Sequence, residues 1–287
     1  MTVAASDPRA ARLGRDGVAR LIQLLESDFG RADDPHEGVT VNQFLLDALD
    51  RGEHRAMSVW PADDPIGVCY VGSGGLVVPA GLSEATQPLA AVVRMSGWRV
   101  LVGDLEMGEA IVDQTSAGLF RRRAYAREQR LMAAGSNVAD APELPGLRRA
   151  ELRDLERLTD FACGLHVEDQ MGPPLSRSGR SAVQQRVASS IRRGSSWTIE
   201  AEGQAVAKID VSIESRRRGA QLAGVFVDRG WRDRGLARRG VADLTGRLLR
   251  GGMPSVTLHV RADNMPAIRA YEGAGYIDRR RWLLALR

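Results

Sequence analysis

The stretch Arg232-Asp233-Arg234-Gly235-Leu236-Ala237 follows a buried-type strand pattern, Val225-Phe226-Val227, and opens a helical pattern that runs to Arg250. A glycine and a small residue at a helix start let successive backbone N–H groups face one anion without side-chain obstruction. The helix dipole favours negative charge at the same place, and three nearby arginines add to it. This is chemistry for holding a pyrophosphate. The dinucleotide fingerprint G-x-G-x-x-G is absent, as is a P-loop ending in G-K-[ST]. A second Gly-rich run, Gly72-Ser73-Gly74-Gly75, joins two strand patterns instead of a strand and a helix, and predicts a hairpin turn.

Other chemistry-bearing residues are scattered. Glu168, Asp169, Asp210 and Glu214 are carboxylates that could take up a proton, and Lys208, the single lysine, has a strand position that fits equally a partner for Asp210 or Glu168. His36, His54, His166 and His259 share no metal-ligand spacing, so no metal site is expected. Cys69 and Cys163 cannot make a disulfide framework, and Cys163 falls on the apolar side of its helix. Arg216–Arg218 and Arg279–Arg281 read as charge runs in solvated loops.

The elements that must position these residues follow from periodicity. Beyond an Ala/Gly/Pro-rich linker at Ala134–Gly146, helices are expected at 152–171 and 181–193, the first stopped by Gly172-Pro173-Pro174. Strands follow at 196–200, 205–213 and 221–227, then helix 235–250, strand 255–260, helix 265–274 and strand 282–286. The first half gives a weaker version of the same order: helices near 12–25 and 41–49, strands 54–60, 65–71 and 75–79, helix 83–95, strand 98–103, helix 106–118 and strand 128–133. A tandem architecture follows, with domains at 1–145 and 146–287.

Composition fits two soluble domains of roughly 100–200 residues each within 287 residues. Residues 1–145 carry 14 basic and 20 acidic side chains and residues 146–287 carry 26 and 16, so the net charge of +4 hides a basic second half. That suggests an anionic partner. An aromatic share of 5% and the lack of a recognised motif argue against nucleic acid. No apolar run reaches the roughly 20 residues of a membrane span, and the N-terminus lacks a secretory pattern, so a cytoplasmic location is expected.

The second half resembles the GNAT N-acetyltransferases. Arg232-x-x-Gly235-x-Ala237 is similar to the family's Q/R-x-x-G-x-G/A signature, and Leu258–Tyr276 is similar to its second motif, with Asn264, Ala267, Tyr271, Gly275 and Tyr276 in place. The resemblance covers about residues 147–287. The whole chain further resembles an actinobacterial two-domain subgroup in which a domain of unassigned function comes first. Lys208, Asp210 and Gln221 stand where that subgroup carries Lys, Glu and Gln, and Glu168-Asp169 matches an acidic pair.

The resemblance implies an α/β (α+β) fold: a mixed sheet flanked by helices, preceded by a degenerate copy. It implies acetyl-CoA as acyl donor and a primary amine as acceptor. Val225 and Val227 would offer backbone groups to the acyl carbonyl and the pantetheine arm, with Val225 polarising the carbonyl. The amides of Arg232, Asp233, Arg234, Gly235, Leu236 and Ala237 would hold the pyrophosphate, Asn264 would touch the pantetheine side, and Tyr271 would act as general acid. Glu168, Asp169 and Asp210 are the candidates for acceptor binding. The glutamate that many members carry on the strand of Val225 is missing, since that stretch reads Gln-Leu-Ala-Gly. A non-catalytic acyl-CoA sensor is therefore the alternative, and a homodimer is left open.

Overall fold

The computed structural model describes residues 9–116, 124–169, 171 and 175–287. The chain divides into two compact units, Met1–Gln129 with Arg280–Arg287, and Arg130–Arg279. The boundary expected at 145/146 falls inside the second unit, because the expected linker is packed there. Val138 and Leu144 are buried, the Leu144 N–H donates to the buried Asp243 carboxylate at 2.7 Å, and Arg250 donates to the Ala139 carbonyl at 2.5 Å. The Gly172-Pro173-Pro174 stop lies outside the described residues. Among the described residues no helix is long and apolar enough to cross a membrane.

The first unit runs β1 (Ala11–Arg12), α1 (Val18–Glu26), α2 (Pro35–Val41), α3 (Gln43–Asp50), β2 (Met57–Trp60), β3 (Gly67–Val71), β4 (Leu76–Gly81), α4 (Thr86–Ser96), β5 (Val100–Asp104) and α5 (Leu105–Ser116). Its strands are ordered β1-β2-β3-β4-β5, and Trp282–Leu286 of the last strand pair antiparallel with Val100–Asp104. Gly72–Gly75 is the expected hairpin turn: the Gly72 N–H donates to Leu76 at 2.8 Å, and Gly75 takes φ +80.

The Arg279–Arg281 run is not a loop. It lies inside a strand, and two of its arginines are held by carboxylates. Asp28, fully buried, accepts from Arg280 at 2.7 Å, Arg31 at 2.8 Å and Asn42 at 3.1 Å, while Arg281 meets both oxygens of Glu128.

The second unit runs β6 (Tyr125–Ala134, from Arg130 on), β7 (Leu147–Arg149), α6 (Leu155–Glu168), α7 (Arg177–Arg192), β8 (Ser196–Ala201), β9 (Gln204–Ser215), β10 (Gly219–Val227), α8 (Leu236–Arg250), β11 (Val256–Arg261), α9 (Met265–Glu272) and the start of β12 (Tyr276–Leu286). The strand order is β6-β11-β10-β9-β8-β7, mixed in direction. Helix α7 starts four residues earlier than its apolar periodicity suggests, because the Ser176 hydroxyl caps it by accepting from the Gly179 N–H at 3.1 Å. Helix α8 lies close on the sheet through Gly240, where a Cβ would stand 2.8 Å from Ile199 Cδ1. Leu236, Val241 and Leu244 are buried on that side, and each such side chain contributes about 1.5–3 kcal/mol.

Irregularities of β10 shape the unit. Its register with β9 shifts between Gln221 and Leu222, which pair with Ile213 and Val211. Its parallel pairing with β11 is confined to Ala220↔Val256, Gln221↔Thr257 and Leu222↔Leu258, although β10 continues to Val227 and β11 to Arg261. On its other side, Ala223 pairs with Asp210 but Phe226 with Lys208, so two residues, Gly224 and Val225, oppose the single Ile209. This is a β-bulge. Gly224 takes φ +58, and a Cβ there would lie 2.9 Å from Asp210 Oδ2 and 3.1 Å from Lys208 Nζ.

Two stability effects are expected. Gly224→Ala forces a side chain into the left-handed region and against an ion pair, and should lower unfolding free energy by on the order of 2–3 kcal/mol in urea titrations. An unchanged midpoint would show that the bulge relaxes at no cost. Asp28→Ala strips the acceptor from two arginines and an amide, and should cost about 3–5 kcal/mol. A loss within experimental error would mean that those donors find water instead.

Candidate functional site

Where β10 and β11 part, a cleft of about 600 Å³ opens in the second unit. Val225, Phe226 and Val227 form one side, the start of α8 its end, and Asn264, Ala267, Ala270 and Tyr271 of the α9 region another side. Leu165, Glu168 and Asp169 come in from the end of α6.

The turn from β10 into α8 is built on backbone conformations that side chains rarely adopt. Asp233 has φ +61 and Gly235, the N-cap of α8, has φ +70. A non-glycine residue held there costs about 1–3 kcal/mol, the kind of strain that clusters at functional sites. The first helical hydrogen bond accepted at this end runs from the Arg239 N–H to the Gly235 carbonyl at 3.0 Å. The amides of Leu236 and Ala237 thus have no intrahelical acceptor. Around Gly235 the space is open: a Cβ there would meet only Arg238 Nη2, at 3.9 Å.

Of the residues picked out from sequence, Val225, Val227, Arg232, Asp233, Gly235, Leu236, Ala237, Asn264, Glu168, Asp169 and Tyr271 all line the cleft. Arg234 and Asp210 do not. The Arg234 guanidinium turns back to stack on Trp231, 4.6 Å from its centroid, and donates to the Gly230 carbonyl at 3.2 Å. Asp210 lies against Gly224, bound to the buried Lys208 ammonium and the Ser196 hydroxyl. Asn264 has a structural duty as well, its Oδ1 capping α9 by accepting from the Ala267 N–H at 3.3 Å.

The charges of the cleft are largely paired with one another. Arg232 Nη2 reaches both oxygens of Glu168 at 2.9 Å, while its Nε donates to the Val227 carbonyl at 3.0 Å. Arg261 grips both oxygens of Asp263 at 2.8 Å, donates to the Glu168 carbonyl at 2.7 Å and lies 3.8 Å from Asp169. Arg261, Asp263, Arg238 and Arg269 were not picked out by motif reading. Arg238 could have been, since the i, i+3 spacing from Gly235 puts it on the face of α8 that carries the helix start.

Tyr271 is 7% exposed, its ring 6.4 Å from that of Tyr276, whose hydroxyl bonds with Thr245 at 2.7 Å. Burial, with a smaller contribution from the Asp169 charge, raises the Tyr271 phenol above its ordinary value. The proton therefore stays on its oxygen throughout the neutral and mildly alkaline range.

Comparison with known proteins agrees with this geometry. Residues 164–276 match the acetyltransferase (GNAT) family. The fold is similar to that of a GNAT-family acetyltransferase from Colwellia psychrerythraea, at 15% identity over 97% of this chain and 100% of that one, with a TM-score of 0.56. It is also similar to a GCN5-related N-acetyltransferase from Sphaerobacter thermophilus, at 17% identity over 97% of this chain and 94% of that one, with a TM-score of 0.61. No curated protein sequence matches the chain. Residues 164–276, which carry most of the cleft lining, are thus similar to the acetyltransferase (GNAT) family, and the chain shares the fold of these two solved structures.

Proposed function

We propose that the chain is an acetyl-CoA-dependent N-acyltransferase that moves an acetyl group to a primary amine by direct attack. The observation that carries this reading is the cleft between the parted strands, which runs from the bulge at Val225 and the buried Tyr271 to the open amide end of α8. The site fits an acyl-CoA at both ends. Gly235 leaves the amides of Leu236 and Ala237 clear for a diphosphate, and Tyr271 offers one hydroxyl among apolar neighbours. When bound, acetyl-CoA supplies an activated acyl group.

The chain's own groups do the rest. The Val225 N–H, at the bulge beside the cleft, donates to the acyl oxygen as negative charge develops there. Glu168 and Asp169 put two carboxylates in the cleft where an incoming ammonium would be met; the ammonium gives one proton to solvent before it attacks, and the second N–H proton, lost as the amide forms, restores the Tyr271 phenol after it has protonated the sulfur. As the C–N bond forms and the C–S bond breaks, the Tyr271 hydroxyl gives its proton to the departing sulfur. Burial raises the proton affinity of the phenol and of a thiolate beside it alike, so the transfer remains feasible where both are desolvated.

Release of CoA in the presence of a panel of primary amines tests the reading. Tyr271→Phe should lower turnover on the order of 10²–10⁴-fold while acetyl-CoA affinity and melting temperature stay close to those of the parent. Unchanged turnover would remove Tyr271 from the reaction, and binding of acetyl-CoA without transfer to any amine would favour a sensor. A second expectation concerns Arg232, which must leave Glu168 before it can serve a phosphate. Glu168→Gln should tighten acetyl-CoA binding about two- to five-fold, the worth of a partly exposed pair. Weaker binding by calorimetry would show that Glu168 supports the donor site instead of competing for it.

A further inference from the structure

The four arginines of the cleft fall into two classes. Arg232 and Arg261 have their donors committed to Glu168, Asp263 and backbone carbonyls. Arg238, on the first turn of α8, and Arg269, on α9, also line the cleft. Among the described residues neither guanidinium has a hydrogen bond, an ion pair or a ring partner. The acids of the cleft are Glu168, Asp169, Asp233 and Asp263, and none lies within ion-pair distance of either one.

Arg238 is nonetheless held in a defined place. Its Cδ lies 2.9 Å from where a Cβ on Gly273, at the end of α9, would stand, so a side chain at that position would collide with the arginine stem. Its Nη2 lies 3.9 Å from the corresponding point on Gly235. Two glycines thus make room for one arginine, whose guanidinium folds back over the start of its own helix. A cation at the positive end of a helix is repelled by the helix dipole. Here no carboxylate offsets it, and the arrangement becomes favourable when an anion binds.

We propose that Arg238 and Arg269 form a second phosphate site, beside the amides at the start of α8, that takes the 3′-phosphomonoester on the ribose of a CoA thioester. The inference rests on the acyl-CoA reading above. A phosphomonoester carries a charge near −1.5 to −2 at neutral pH and presents three acceptor oxygens, which two guanidinium forks match. The pyrophosphate has the α8 amides to hold it; the ribose phosphate has these arginines. The chain accordingly selects free CoA thioesters over thioesters that lack this group, such as those of dephospho-CoA or of pantetheine carried on a protein.

Calorimetric titration of the full chain with acetyl-CoA and with acetyl-dephospho-CoA tests this without any acceptor. The parent should bind acetyl-CoA about 10–100-fold more tightly than acetyl-dephospho-CoA. Arg238→Gln and Arg269→Gln should each lose most of that preference, and the double variant nearly all of it, with affinity for acetyl-dephospho-CoA within about two-fold of the parent. Both side chains are exposed, so the variants should melt with the parent. Equal binding of the two donors by the parent overturns the proposal. So do variants that weaken both donors alike, which would assign the arginines to the pyrophosphate. A folded parent that binds neither donor refutes the acyl-CoA reading itself, a result readily told apart from binding without discrimination.

Discussion

Strand β10 cannot satisfy both neighbours along its whole length, and the cleft exists for that reason. Parallel pairing with β11 runs only to Leu222, and regular pairing with β9 is interrupted at Gly224 and Val225. Backbone groups released in this way are costly unless something else bonds them, so the same distortion that weakens the sheet makes a place for a polar ligand. The distortion is held from behind. Lys208 is 3% exposed, and burying its charge would be prohibitive without the Asp210 carboxylate beside it, itself bound by Ser196. That cluster lies directly against Gly224, and only a residue without a Cβ fits between the ion pair and the bulge. The cleft side of β10 and the ion pair behind it are therefore parts of one device.

The electrostatics of the cleft follow from what this backbone leaves over. Three carboxylates at its mouth, Glu168, Asp169 and Asp263, are taken up by Arg232 and Arg261. These pairs join the end of α6 to the turn before α8 and to the end of β11, so they order the cleft walls as well as neutralise them. They are partly exposed, with Glu168 at 30% and Arg232 at 38% side-chain exposure, and individually of modest strength. Contacts of that strength can hold a cleft in shape and still yield to a ligand carrying several charges. The buried Lys208 and its half-buried partner Asp210 sit outside the cleft lining, where nothing needs to be displaced.

Much of this was legible in the sequence wherever the backbone dictates residue type. Gly235 at a helix start and the Gly72–Gly75 hairpin each require glycine for a conformational reason that spacing alone reveals. Helix α6, strands β8 to β10 and helices α8 and α9 likewise follow from apolar periodicity. Side-chain partnerships were not legible. Glu168 and Arg232 are 64 residues apart, and no local rule makes one the other's partner. Arg234 belongs to the same motif as Arg232 yet turns away onto Trp231, a choice made by one ring in its path. The sequence predicts a shorter β12, because the mostly exposed 277–281 stretch has the charge pattern of a solvated loop; the carboxylates of Asp28 and Glu128, distant in sequence, bind Arg280 and Arg281 within the strand.

The corresponding strands of the first unit pair more regularly. Strand β4 pairs with β3 through five consecutive residues, Gly67↔Gly81 to Val71↔Val77, with no register shift, so no bulge interrupts that ladder. Its parallel partner β5 stays close beyond the paired Val77 and Leu101: a Cβ on Gly103 would lie 3.1 Å from the Pro79 carbonyl oxygen. Glycine is present here too, but used in the opposite sense. Gly81, at φ +139, lets the chain approach Gly67 and Ile66 so closely that a Cβ would stand 2.4 Å from both. The helix that follows is entered through Ala85 in an ordinary right-handed conformation, without the left-handed turn that bares the start of α8. In one unit glycines bring strands and helix together; in the other they hold β10 off its partners and open the helix end. The difference between a strand that keeps its neighbours and one that parts from them thus rests on where a few residues without a Cβ fall.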